Sequence, residues 1–254
     1  MKKWFFFFLL FLHLEALEYP MLNLTLIPQE QPKALSTDSL DAMTEKALAS
    51  LCIVTFFDAA TWSEAFWGWW YSSFAGATGF FISPQGHLLT NKHVVQSNPY
   101  LKLWLSFSDG NPNRAHIVAE HPTEDIVILK MENAEQVKFD YLKMSFDSVE
   151  VGDWVFSLRG KGCLVNTKRM LCFPSLGKIV GNIQGTLTTS MHTTPGNSGS
   201  PLLNLEGNAV GIMTVRIRLD SDLKTDLGGT SAVSLQKVKD WIVEVLRNDG
   251  YSLD

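Results

Sequence analysis

The chain has 254 residues, 46% hydrophobic and 19% charged, with a formal net charge of −5. That length can bury a core as one large domain or two small ones, and the ordinary apolar content excludes a disordered, collagenous or coiled-coil protein. With 21 basic against 26 acidic side chains, no general attraction to phosphate backbones is expected, so nucleic acid is not an expected partner.

The first element is a basic start, Met1-Lys2-Lys3, followed by Trp4–Leu14, which carries five of the 16 phenylalanines. This pattern predicts a secretory signal peptide over 1–16, cut after Ala16, with an uncleaved anchor as the alternative. The run is too short to span a bilayer comfortably, which takes about 20 apolar residues. Residues 17–36, containing Pro and Gln with little pattern, predict a flexible leader or an arm packing on a neighbour. Thr37 to Leu51 predicts a helix, with Asp38 or Ser39 as N-cap and Leu40, Met43, Ala47 and Leu51 on its apolar side.

From Ile53 to about Ser231 the pattern changes to short apolar runs broken by turn residues. Strands are predicted at Ile53–Phe57, Gly79–Ile82, Leu88–Thr90, Leu101–Phe107, Ile126–Lys130, Trp154–Leu158 and Val210–Val215. Such a series implies an all-β sandwich or a pair of barrels. Leu235–Leu246 closes the series with amphipathic helical spacing. No internal repeat is visible. Three cysteines are too few for a disulfide scaffold. Cys52 reads as a buried thiol in a strand, and Cys163 and Cys172 form a candidate disulfide in an oxidising compartment. Trp62–Tyr71 gathers four of the eight tryptophans. Gly68 and the lack of alternation argue there for a loop serving a subunit contact or active-site gate, with a membrane surface as the second choice.

Three segments carry chemistry. In Gly76–Val95 the Ser-Pro-Gln-Gly centre suits a β-turn, and His93 follows the second flanking strand. Glu124–Lys130 puts Asp125 at the mouth of a buried strand. Thr193–Leu203 sets Ser198 between Gly196-Asn197 and Gly199, where backbone N–H groups can converge.

Taken together, and in this order along the chain, the three segments resemble those of trypsin-like serine endopeptidases. Thr90–Val95 and Asp125–Lys130 are similar to the HtrA/Deg proteases of bacterial envelopes, and Gly-Asn-Ser-Gly-Ser-Pro is also similar to secreted glutamyl endopeptidases. The resemblance implies a chymotrypsin-like fold of two six-stranded antiparallel β-barrels over residues 37–254. The first barrel would span about 50–140 and the second about 141–233, followed by a helix over 234–247. It also implies that Ser198 is the nucleophile, His93 its general base and Asp125 the group that orients the imidazole. The oxyanion loop would be Gly196-Asn197-Ser198, binding through the N–H groups of Gly196 and Ser198. No metal or organic cofactor is required.

Each residue alone has a plainer reading. His93 could be a buried structural histidine, since His13, His87, His116, His121 and His192 show how common a lone histidine is here. Asp125 could be a strand-end solvent contact, and Ser198 a turn serine. The shared order favours the catalytic reading, with a catalytically silent chaperone or binding protein as the alternative. By resemblance, Thr193 and the strand carrying Met213, Thr214 and Val215 would line the primary specificity pocket, with His192 at its rim. Glutamyl endopeptidases place a histidine where this chain has Met213, so a medium apolar residue is the expected preference. Ser200 stands where most HtrA proteases have glycine, and no room is left after the terminal helix for a PDZ domain. The expected partners are a polypeptide substrate and, by resemblance, two further copies in a trimer; the expected location is periplasmic or secreted.

Overall fold

The short apolar runs form twelve strands in the computed structural model, which describes residues 37–57, 77–96, 102–106, 112–158, 174–191, 196–216 and 230–253. The expected signal and leader, Trp62–Tyr71, Cys163, Cys172, His192 and Thr193 lie outside these residues. In the first barrel, β1 (Leu51–Phe57), β2 (Ala77–Phe81), β3 (His87–Thr90), β4 (Lys102–Ser106), β5 (Pro112–Glu120) and β6 (Val127–Met131) close in the order β1-β2-β3-β6-β5-β4. In the second, β7 (Trp154–Ser157), β8 (Ser175–Ile183), β9 (Thr186–Thr189), β10 (Pro201–Leu203), β11 (Ala209–Arg216) and β12 (Thr230–Ser234) close as β10-β11-β12-β9-β8-β7. Followed from β7, the second barrel repeats the strand order of the first. All these pairings are antiparallel. This is the chymotrypsin-like double barrel, a structural duplication that the sequence does not reveal as a repeat.

The strands at the centre of the molecule are apolar on both faces because each face has its own core. On β3 and β6, Leu88, Val127 and Leu129 point into the first barrel with Cys52, Phe81 and Leu105. Their neighbours Leu89, Ile126 and Ile128 join Phe80, Phe156, Leu203 and Ile212 in a layer between the barrels. Alternation along such a strand changes which core a residue enters, not whether it is buried. Cys52 is fully buried, and desolvation pushes its thiol well above the ordinary range.

Helices α1 (Thr37–Ala49) and α3 (Lys239–Asn248) flank the barrels in sequence, and a single turn, α2 (Lys92–Val95), follows β3. The structure starts α1 at Thr37, ahead of the expected cap at Asp38 or Ser39, and stops it two residues before Leu51. Ser50 explains the stop: its hydroxyl donates to Ala47 O at 2.6 Å and its carbonyl accepts Phe81 N at 2.9 Å, which turns the chain into β1. The predicted terminal helix divides into a 3₁₀ turn, Gln236–Val238, and α3. Val238, Ile242 and Leu246 bury one stripe of this segment in the inter-barrel layer. Among the described residues, no helix is long and apolar enough to cross a membrane.

Candidate active site

His93 lies in α2, just beyond β3, and Asp125 immediately precedes Ile126 and β6. Since β3 and β6 are hydrogen-bonded neighbours, with Thr90 opposite Val127, the barrel itself brings the two side chains together. His93 Nδ1 is 2.6 Å from Asp125 Oδ2, and the His93 N–H donates to Asp125 Oδ1 at 2.9 Å. Both groups remain accessible, with side-chain exposures of 46% and 30%. From below, Asn91 Nδ2 donates to the Asp125 carbonyl at 2.8 Å.

The third group comes from the second barrel. Ser198 Oγ donates to Thr214 O at 3.1 Å, and Thr214 Oγ1 donates to Asp125 Oδ2 at 2.7 Å. Thr214 therefore touches both the serine and the carboxylate. Burial opposes ionisation of Asp125, but the His93 ring, the His93 N–H and the Thr214 hydroxyl together hold its carboxyl below the ordinary range. Among the described residues, His93 Nε2 makes no hydrogen bond; the serine hydroxyl rests on the Thr214 carbonyl instead.

Backbone contacts fix the serine loop. Gly196 and Gly199 take positive φ, 102° and 80°. Gly199 N donates to Met213 O at 3.0 Å, Met213 N to Ser200 O at 2.8 Å and Ser200 N to Asn197 O at 2.9 Å. The first barrel holds the same loop through Thr78: its N–H donates to Ser198 O at 2.9 Å and its hydroxyl to Gly196 O at 2.9 Å. Thr90 Oγ1 completes this clamp by donating to Thr78 O at 2.8 Å. Neither the Gly196 nor the Ser198 N–H donates to another described residue. Sequence reasoning missed Asn91, Thr78 and Thr90; the only available signal was the place of Thr78 and Thr90 in the two strands leading to His93 and of Asn91 just after the second.

Of the residues expected to line the specificity pocket, Met213, Thr214 and Val215 are among the described residues. Met213 is fully buried in the core of the second barrel with Val155, Ile179, Leu187, Met191 and Leu202. The pairing of β11 with β12 shifts register between Met213 and Arg216, and within that irregularity Thr214 turns its hydroxyl to Asp125. Met213 and Thr214 thus act in the core and at the carboxylate, and Val215 follows them on β11. Ser200 is fully buried.

A second Ser-His-Asp arrangement lies elsewhere. Ser83 Oγ is 2.6 Å from His87 Nδ1, and His87 Nε2 is 2.8 Å from Asp249 Oδ2, which Lys130 also contacts. Ser83 and His87 are wholly buried, so no substrate reaches them. The group instead ties the end of α3 to the β2–β3 turn. The Lys130 contact holds the Asp249 carboxyl below its ordinary value of 3.8, with burial opposing and His87 assisting. A depressed carboxyl stabilises the fold above the unfolded-state value and loses that contribution as pH falls through the folded one. Asp249→Asn is therefore expected to lower Tm by about 2–6 °C at neutral pH. In thermal melts followed by circular dichroism, the gap from wild type should close below pH 3.8.

Residues 77–212 match the Trypsin-like peptidase domain family, and the chain belongs to that family. Within it, the chain is of the HtrA/Deg type. It is 29% identical over 141 residues to the "Probable periplasmic serine endoprotease DegP-like" of Chlamydia pneumoniae, covering 54% of this chain and 28% of that one. To the protein of the same description from Rhizobium meliloti (strain 1021) it is 31% identical over 179 residues, covering 69% and 34%. The crystal structure of the serine endoprotease from Yersinia pestis shares the fold with a TM-score of 0.62 at 19% identity, covering 87% of this chain and 69% of that one. The chain spans about a third of the length of these curated relatives.

Proposed function

We propose that this protein is an exported serine endopeptidase in which Ser198, His93 and Asp125 form the catalytic triad. The observation that carries this reading is that His93 and Thr214 both meet the Asp125 carboxylate while Thr214 also receives the Ser198 hydroxyl. Catalysis requires the Ser198 hydroxyl to leave the Thr214 carbonyl and turn to His93. There Nε2 takes the proton as Oγ attacks the peptide carbonyl, and the imidazolium returns that proton to the departing amine. Water, deprotonated by the same imidazole, then hydrolyses the acyl-enzyme. The N–H groups of Gly196 and Ser198, on either side of Asn197, would bind the developing oxyanion, each contributing about 3–4 kcal/mol.

Polypeptides are the proposed substrates. The periplasm is the proposed compartment, supported by the names of the relatives and by the signal-like 1–16 segment. Cleavage beside medium apolar residues is retained as the expected preference, now resting on Val215 because Met213 lies in the barrel core. A peptide-library cleavage profile tests it. The resting position of the Ser198 hydroxyl favours one second reading, a silent protease fold used for binding. Fluorophosphonate labelling separates the two. Wild type should label, with peptide activators included in the assay, and its failure beside reactive control proteases would sink the enzyme reading.

Thr214 offers a graded test. Thr214→Val keeps the shape of the side chain but removes one of the donors to the Asp125 carboxylate. A hydrogen bond to a charged group contributes about 1.5–3 kcal/mol, so kcat/KM should fall roughly tenfold or more. The Asp125 carboxyl should also rise towards its ordinary range, a shift read by NMR titration of its side-chain carboxyl.

A further inference from the structure

Asp125 lies near the end of a tight loop, residues 121–126, closed by His121 N donating to Ile126 O at 3.0 Å. The imidazole of His121 folds back over this loop. Its Nδ1 accepts the N–H of Glu124 at 2.9 Å and, less directly, that of Thr123 at 3.3 Å. Two donors aimed at one ring nitrogen require a lone pair there, so the proton belongs on Nε2. The ring also meets Trp241 of α3 edge-on, with centroids 5.0 Å apart. The loop has two further fastenings: Lys92 Nζ of α2 donates to His121 O at 2.7 Å, and Lys237 Nζ bridges Glu124 at 2.9 Å. An asparagine or aspartate would commonly cap backbone N–H groups two and three residues onward, and here an imidazole does so.

We infer that neutral His121 is a positioning residue for Asp125, serving as the backbone acceptor that shapes the loop and fastens it to α3. The inference rests on the peptidase reading of the site. Protonation of Nδ1 would replace the lone pair with a donor facing two N–H groups, so the loop should loosen on acidification. The charged groups facing the ring are Glu124 on its own loop, Lys92 on α2 and Lys237 ahead of α3. Burial keeps the imidazole below its ordinary value of 6.5; Glu124 opposes this, and Lys92 and Lys237 reinforce it. At neutral pH the accepting form therefore predominates, and the loop is at risk only in acid.

Two measurements on the full chain test the assignment. The first is the ¹⁵N spectrum of the His121 ring in Ser198→Ala, which needs no activity. Protonated Nε2 and bare Nδ1 at pH 7.5 are expected; a proton on Nδ1 overturns the proposal. The second compares His121→Phe, which keeps an aromatic ring against Trp241, with His121→Asn, which restores an acceptor oxygen. The phenylalanine variant should lose about tenfold or more in kcat with KM changed by less than about twofold. The asparagine variant should recover kcat to within about threefold of wild type, and its activity should fall less steeply in acid. Equal kcat in wild type and His121→Phe, or no recovery in His121→Asn, would overturn the proposal. An unlabelled, inactive wild type would instead count against the peptidase reading, and the ring spectrum would still decide the tautomer.

Discussion

Replacing Ser198 with alanine is expected to lower kcat/KM by about 10⁴- to 10⁶-fold and to abolish fluorophosphonate labelling. The size of the effect follows from what remains. Without Oγ no acyl-enzyme can form, and the imidazole can only activate water held by the oxyanion donors, which leaves a small residual rate. Folding should be nearly unaffected, because the lost hydroxyl makes one bond, to the Thr214 carbonyl, whereas the loop is held by backbone contacts from Thr78, Asn197 and Met213. The measurement is steady-state hydrolysis of an unfolded protein beside a thermal melt. Labelling that survives the substitution would show that another residue is the nucleophile.

Gly199→Ala should also be damaging, by a different route and to a smaller extent. Gly199 has φ of 80°, and an added Cβ would overlap the Thr78 carbonyl oxygen and crowd the Thr90 hydroxyl. Neither neighbour can yield cheaply: Thr78 also holds Ser198 and Gly196 through its N–H and hydroxyl, and Thr90 sits in β3. Overpacking against fixed backbone typically costs about 1–3 kcal/mol, and positive φ adds about 1–2 kcal/mol more. Any relief would push the serine loop away from His93, so kcat/KM should fall at least about 100-fold even in the fraction that folds. Gly152→Ala is the control. Its φ is 104° but nothing lies within 4 Å of the added atom, so only the backbone strain should appear, as a modest Tm loss with activity intact. Equal behaviour of the two variants would remove the steric argument.

The fold was legible where each strand carried an unbroken apolar run. The stretches around Leu88–Thr90, Ile126–Lys130 and Val210–Val215 lie in β3, β6 and β11, the strands that serve two cores or carry site residues. Strands β5, β8, β9, β10 and β12 were not resolved from sequence. β8 shows why: burial alternates at Gly177 and Ile179, but one buried position is a glycine and Val180 and Ile183 are exposed, so its apolar residues do not follow its buried face, and its pairing with β9 shifts register after Ile179. The duplicated strand order is equally hidden, because it resides in hydrogen bonding and leaves no shared residues.

For the candidate site, sequence pointed to His93, Asp125 and Ser198 because the proposed chemistry fixes residue type and chain order, and the fold places His93 on Asp125 and links Ser198 to it through Thr214. What surrounds them was not. Thr214 looked like a pocket wall, and only the register shift in β11 shows why its hydroxyl meets Asp125. His87 and His121 looked like interchangeable lone histidines, yet one is sealed against Asp249 and the other caps the loop before Asp125. Such roles depend on which backbone N–H or distant carboxylate a ring nitrogen faces, a three-dimensional fact with no local motif.

The fastening of the Asp125 loop by Lys237 and Trp241 also has a consequence for biosynthesis. Ribosomes deliver these two residues after every strand of both barrels. A growing chain can therefore contain Ser198 and His93 before the brace on the Asp125 loop exists. On the proposed reading, activity would come last in folding, once α3 has docked on the loop that carries Asp125.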